Sequence, residues 1–327
     1  MKPLIHAEDL RKWFELKLGF LATLRGKVVY VKAVDGVSFD IYEGEIFGLA
    51  GESGCGKTTC GKLLIRLLEP TSGVVLFEEK NIYELEGEEL KKFKRKAQII
   101  FQDPYESLNP RMTVYDTLSE PIDIHDLAET EDEKLEMISK ALEDVKLVPP
   151  EEFLYRYPHE LSGGQRQRVC IARALILGPK FIVADEPVSM IDMSLRAEIL
   201  NLMLDLRDKY GLTYLFITHD LALAKYMCDR LAIMYLGKIV ELGPSEDVID
   251  KPVHPYAKAL ISAIPVPDPA IKIGDIPIKG RVPSPINLPS GCRFWPRCPY
   301  ADDKCKQEEP EMVEVEKGRW VACHKAL

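Results

Sequence analysis

The run "GEIFGLAGESGCGKTTCGKLLIRLLEPTSG" constrains the fold more than any other part of the chain. Ile46–Ala50 has the length and composition of a buried strand, and a glycine-rich turn follows it. Lys57–Leu68 then carries helical periodicity until Pro70 and Gly73 end it. Residues 51–58, "GESGCGKT", fit the pattern of Gly, four residues, Gly, Lys and Ser or Thr, which is a phosphate-binding loop set between a strand and a helix. In such a loop the backbone of Gly51, Glu52, Ser53, Gly54, Cys55 and Gly56 curls around phosphates. Lys57 reaches the β- and γ-phosphates, the Thr58 hydroxyl can hold Mg²⁺, and Thr59 stands beside it on the first helical turn.

"FIVADEP" at 181–187 supplies a second element. An apolar run delivers Asp185 to the carboxyl end of a strand, where ligands of open α/β sheets bind, and Glu186 follows directly. Asp185 suits a Mg²⁺ site, and Glu186 suits orienting and polarising an attacking water, because phosphoryl transfer asks mainly for positioning and charge stabilisation. Gln102 closes the strand "AQIIFQ" and His219 closes "YLFIT", so both are expected at the same sheet edge.

Composition narrows the partners. The 327 residues carry a net charge of -9, against the clustered Lys and Arg that a general nucleic-acid binder needs, and the basic run "LKKFKRK" at 90–96 reads as a solvated helix face. No stretch approaches 18 consecutive apolar residues, and "MKPLIHAEDLRKWFELK" lacks the apolar middle of a secretory signal, which predicts a chain that stays in the cytoplasm. Cys55, Cys60, Cys170 and Cys228 lie among apolar neighbours and read as small core residues.

Along the chain, residues 74–102 read as strands, and 103–160 turn polar, charged and helical, as an insertion would. A helix near Ser162, another over 194–210 and the strand "LTYLFIT" restore the βαβ alternation. "RLAIMYLGKIVELG" reads as two strands turning at Gly237, and from Pro252 the composition becomes proline-rich and irregular.

With "LSGGQRQR" at 161–168 the chain resembles the ATP-binding cassette (ABC) family. Ser162, Gly163, Gly164 and Gln165 would begin a helix whose hydroxyl, N–H groups and positive end make a second anion site. The resemblance covers about residues 4–245. It implies an α/β P-loop NTPase (RecA-like) nucleotide-binding domain over 4–250, with an antiparallel β subdomain and an inserted α-helical subdomain at 103–160, followed by a Cys-rich extension over 251–327. It further implies that two cassettes pack head to tail, each ATP lying between one P-loop and the partner's signature. Gln102 becomes the Q-loop residue, also near Mg²⁺; Asp185 and Glu186 the Walker B pair; "SMID" at 189–192 the D-loop, with Met190 a mild departure; and His219 the switch histidine. The aromatic that stacks on adenine is assigned to Tyr30, with Phe20 and Trp13 as alternatives.

"FQDPYESLNPRMTV" at 101–114 and "HPYAKALISAIP" at 254–265 narrow the resemblance to the ATPase subunits of oligopeptide and dipeptide permeases, the first stretch looking like the second of their paired ATPases. The implied partners are a second homologous ATPase, two transmembrane permease subunits and, through them, an extracytoplasmic substrate-binding protein. The implied place is the cytoplasmic face of the membrane. Relatives also serve importers of nickel or short oligosaccharides. A rival class, ABC ATPases acting on nucleic acid or ribosomes, is disfavoured by the acidic balance and the single cassette.

Cys292, Cys298, Cys305 and Cys323 follow one another at gaps of five, six and seventeen residues. Four thiols in a proline-rich segment of little periodicity suggest a small fold that needs a metal centre. The gaps lack the short knuckle of zinc sites, and some peptide-permease ATPases carry a [4Fe–4S] cluster in this extension; a cluster is therefore expected, with Zn²⁺ and unligated thiols as alternatives. His324 reads as a surface neighbour.

Overall fold

A computed structural model describes residues 2–16, 28–263, 278 and 283–326. Phe20, Pro265, Pro267, Pro269 and Pro277 lie outside the described residues. In chain order the strands and helices begin with β1 (Pro3–Leu16), β2 (Val29–Tyr42), β3 (Ile46–Ala50), α1 (Lys57–Leu64), β4 (Ser72–Phe77), β5 (Lys80–Asn81), α2 (Gly87–Lys96) and β6 (Ala97–Ile100). There follow α3 (Val114–Ile124), α4 (Glu131–Asp144), α5 (Gly163–Leu175), β7 (Phe181–Asp185), α6 (Met193–Tyr210), β8 (Thr213–Thr218) and α7 (Leu221–Met227). The last are β9 (Arg230–Tyr235), β10 (Lys238–Pro244), α8 (Ser245–Asp250), α9 (Pro255–Ser262), α10 (Asp303–Gln307), β11 (Val313–Glu316) and β12 (Arg319–Val321).

These sort into two compact units, one of Met1–Ile41, Ile46–Tyr83 and Phe216–Leu327, the other of Tyr42–Glu45 and Glu84–Leu215. In the first, an antiparallel sheet runs β2-β1-β4-β5, with Ile5 opposite Phe77. A second row of strands runs β11-β12-β10-β9-β3. All five residues of β3 are buried, which suits its parallel pairing with β9, Leu49 beside Ala232. β9 turns at Gly237 into antiparallel β10, as the sequence predicts.

The C-terminal residues are more regular than their composition suggests. β12 pairs with β10, Trp320 opposite Leu242, and β11 extends the row. Glu241 of β10 is fully buried, yet satisfied: it accepts from Arg319 Nη2 at 2.8 Å, from the Val253 N–H and from the His254 N–H at 2.7 Å. A buried ion pair survives only with such additional hydrogen bonds. Phe294 is buried against Tyr235, His254 and Tyr256.

In the second unit β6 runs parallel to β7, Ile99 beside Val183. α2 occupies part of the 74–102 stretch expected as strands. Glu88 and Glu89 in its first turn and Lys94, Arg95 and Lys96 in its last complement the helix dipole, while Phe93 is its buried residue. The helices of the 103–160 segment start on side-chain caps: Thr113 accepts from the Asp116 N–H for α3, and Thr130 from the Glu133 N–H for α4. Among the described residues no helix is long and apolar enough to cross a membrane.

Candidate active site

The first unit carries the phosphate-binding loop. Gly51 (φ 155°) and Gly56 (φ 110°) are obligatory, because a Cβ would stand 2.2 Å from the Met234 carbonyl oxygen at the first and 2.0 Å from the Ala33 carbonyl oxygen at the second. Gly237 donates its N–H to the Cys55 carbonyl, fastening the loop to the β9–β10 turn. The Lys57 ammonium lies inside the loop, donating to the carbonyls of Gly51 at 2.8 Å and Glu52 at 3.2 Å. Burial pushes the Cys55 thiol above its usual range, so the loop gains no charge there. Ser53 and Gly54 are exposed, while Thr58 and Thr59 stand half-buried on the first turn of α1, which holds no acidic residue to oppose an anion.

Glu52 has partners that sequence reading missed. Its carboxylate accepts from both terminal nitrogens of Arg297, at 2.8 and 3.1 Å, and its N–H donates to the Tyr256 hydroxyl at 3.0 Å. The sequence signals were available: "HPY" puts Tyr256 beside His254, the N-cap of α9, and "RFWPR" sets arginines among aromatics. His254 accepts from the Tyr256 N–H through Nδ1, and burial drives its pKa down to about 3, so it caps as the neutral ring.

His219 is exposed and directly follows β8; Asp220 beside it caps α7 by accepting from the N–H groups of Ala222 and Leu223. Tyr30 is exposed on β2 with its ring 6.1 Å from that of Trp13, whose Nε1–H donates to Asp35 at 2.8 Å.

The second unit brings together Gln102 and Glu186. Gln102 lies two residues beyond the end of β6, not on the strand itself, and its Nε2 donates to Glu186 Oε2 at 3.1 Å. Asp185 ends β7 and is buried. Glu186 leaves the strand at φ 46°, a left-handed conformation that costs a non-glycine residue about 1–3 kcal/mol. Its carbonyl accepts from the Ser189 hydroxyl at 3.0 Å, and Met190 after it is exposed. Ser162 and Gln165 form a reciprocal capping box on α5, Ser162 Oγ accepting from the Gln165 N–H and Gln165 Oε1 from the Ser162 N–H. Gly163 is half-buried and Gly164 buried on the first turn.

Thr58 in the first unit, and Gln102 and Asp185 in the second, each carry a side-chain oxygen of the hard type that Mg²⁺ prefers. The C-terminal cysteines are a different case. Burial pushes the Cys292 thiol up to about 11, with Cys305 and Cys323 adding to the rise, and Cys323 is raised by burial and then by Cys298 and Cys305. Cys323 thus shares an electrostatic interaction with each of the other three. Among the described residues, however, no group of three or more His, Cys, Asp or Glu side chains is disposed to hold a metal ion. The donor chemistry fits the expected [4Fe–4S] or zinc centre, but the side-chain placement does not assemble it. Phe294 and the arginines beside it, Arg293 and Arg297, are buried, so side-chain packing contributes to the order of this segment. His324 contacts the Glu308 carbonyl through Nε2 at 3.0 Å.

Known proteins agree with the motif set. The ABC transporter family model matches residues 34–189, and the model of the oligopeptide/dipeptide transporter C-terminal region matches 240–305. YkfD of Bacillus subtilis (strain 168), provisionally named an oligopeptide transport ATP-binding protein, is 52% identical over 98% of this chain and 95% of its own length. The oligopeptide transport ATP-binding protein AppF of the same organism is 46% identical over 99% of this chain and 97% of its own. Among solved structures, the dimeric post-hydrolysis state of the ATP-binding cassette MJ0796 bound to ADP and Pi aligns with a TM-score of 0.63 at 28% identity, covering 74% of this chain and 98% of that one. A phosphate loop with forced glycines, a strained Glu186 held by Gln102 and these two family matches lead to one assignment: the chain belongs to the ABC transporter family, among its oligopeptide/dipeptide-type ATP-binding proteins.

Proposed function

We propose that this ATPase energises an importer of peptides, working at the cytoplasmic face of the membrane through two transmembrane permease subunits and paired with a second, homologous ATPase. The observation that carries the chemistry is Glu186, set at a strained φ and gripped by Gln102. The peptide cargo is supported by the C-terminal match at 240–305 and by the names of the relatives. An extracytoplasmic binding protein would deliver that peptide to the permease.

In this reading the ABC domain spans 4–250, with a helical subdomain at 103–160 and the extension over 251–327. Lys57 and the backbone of residues 51–59 bind the triphosphate of ATP, and Tyr30 stacks on adenine. Thr58, Gln102 and Asp185 would hold Mg²⁺, which shields the phosphate charge. Glu186 takes the proton of the attacking water, and His219 orients the γ-phosphate. Ser162, Gly163, Gly164 and Gln165 meet the nucleotide of the partner ATPase. The dimeric MJ0796 structure supports that pairing.

The chain is expected to co-purify with integral membrane subunits and a second ATPase, and to hydrolyse ATP slowly alone, since its signature serves a neighbour. Sedimentation with a parallel phosphate-release assay checks this, and a fully active monomer would contradict it. A stable complex with RNA or DNA in place of the membrane subunits would favour the rival class.

The finer reading of the extension is a [4Fe–4S] centre on Cys292, Cys298, Cys305 and Cys323, with Zn²⁺ as the alternative and a structural or redox-sensing role apart from hydrolysis. It is supported by the donor chemistry of four thiols and by the electrostatic interaction of Cys323 with each of the other three. Anaerobically purified protein is expected to be brown, absorbing near ~400 nm. Colourless protein with stoichiometric zinc would replace the cluster, and metal-free protein with four alkylatable thiols would end both readings.

A further inference from the structure

Glu52 places a carboxylate inside a loop whose task is to attract a polyanion. Left uncompensated, that charge would oppose the phosphates. Two groups from the far end of the chain meet it. Arg297 grips both carboxylate oxygens, a bidentate geometry that fixes the plane of the carboxylate as well as its charge. The Tyr256 hydroxyl engages the N–H of the same residue.

Both partners are held firmly. The Arg297 side chain is 5% exposed, with its guanidinium 5.8 Å from the Tyr235 ring centre and 5.9 Å from that of Phe294. Burial opposes the charge on Arg297, but Glu52 and Tyr235 outweigh it and keep the guanidinium protonated. Tyr256 is fully buried, its ring centre 4.6 Å from that of Tyr235. Four residues before Arg297, Arg293 reaches the Asp35 carboxylate and the Leu236 carbonyl. Burial alone would raise the Asp35 carboxyl; Arg293 and the Trp13 N–H hold it below the usual carboxylate range. A solubilising surface arginine has none of these features.

We propose that Arg297 and Tyr256 are positioning residues for the phosphate-binding loop, through which the C-terminal extension sets the affinity for the triphosphate. The inference rests on residues 51–58 being the nucleotide site. It requires that the loss on removing Arg297 come from the freed Glu52 charge, so the loss must grow with the charge of the nucleotide and vanish when Glu52 is neutral.

The test is equilibrium titration of the full chain with Mg–ATP, Mg–ADP and adenosine. Arg297→Met is expected to weaken ATP about tenfold, ADP less, and adenosine not at all. The single-turnover rate at saturating ATP should change by no more than about twofold. Glu52→Gln in the same chain should restore most of the affinity, and added salt should shrink the defect. Tyr256→Phe is expected to weaken ATP about threefold. If Arg297→Met does not fold, Arg297→Lys keeps the charge but not the bidentate grip, and about threefold weakening is expected. Wild-type ATP affinity in the Arg297 variants, or equal losses with and without Glu52→Gln, would overturn the proposal. Lys57→Ala run alongside separates the two failures. Retained ATP affinity in that variant removes the nucleotide site itself, whereas loss there with none in the Arg297 variants removes only the positioning role.

Discussion

Glu186→Gln is expected to bind Mg–ATP as tightly as the wild type and to hydrolyse it about 10²–10⁴-fold more slowly. The amide matches the carboxylate in shape, and its Oε1 can still accept from Gln102 Nε2, so the local geometry survives. Only the capacity to take a proton from water is lost. Phosphate release by the assembled complex, measured beside equilibrium ATP binding, checks this; hydrolysis at the wild-type rate would take the base assignment away from Glu186.

Lys57→Ala is expected to fail earlier, at binding, with ATP affinity falling about 100-fold. The ammonium is buried and donates to the carbonyls of Gly51 and Glu52, so its loss removes both a phosphate ligand and the donor that closes the loop on itself. Titration of the full chain with Mg–ATP measures the effect, and a melting temperature within a few degrees of wild type would show that the loss is local. Undiminished binding would mean that the phosphates lie elsewhere.

The features legible in the sequence were those written over a few consecutive residues. Gly51 and Gly56 mark a loop whose backbone no other residue could follow, and β3 before it and α1 after it carry their own periodicities. The helix start at Ser162 is legible in "LSGGQRQR", and α5 begins at Gly163. Other features left no such local mark. Gln102 reads as the end of the strand "AQIIFQ", because the apolar residues Ile99, Ile100 and Phe101 run up to it, but the strand stops at Ile100. The packing of the extension is not legible, because proline-rich sequence has no period from which burial can be inferred. Its contacts, Arg297 to Glu52 and Arg293 to Asp35, span 245 and 258 residues, a distance at which no local pattern leaves a trace.

The division of the chain has a consequence for how it is made. Residues 84–215 are almost the whole of one unit and emerge from the ribosome as a single stretch. The phosphate loop belongs to the other, whose segments lie at opposite ends of the chain. β3 leaves the ribosome early but cannot pair with β9 until Arg230–Tyr235 has been synthesised, and Glu241 has no counter-ion until Arg319 arrives. At ordinary elongation rates the gap between β3 and β9 alone is roughly 10–35 s. Throughout that time Ile46–Ala50, five residues destined for full burial, must be kept from other strands. The phosphate loop that β3 leads into likewise lacks its fastening to the β9–β10 turn until Gly237 has been made.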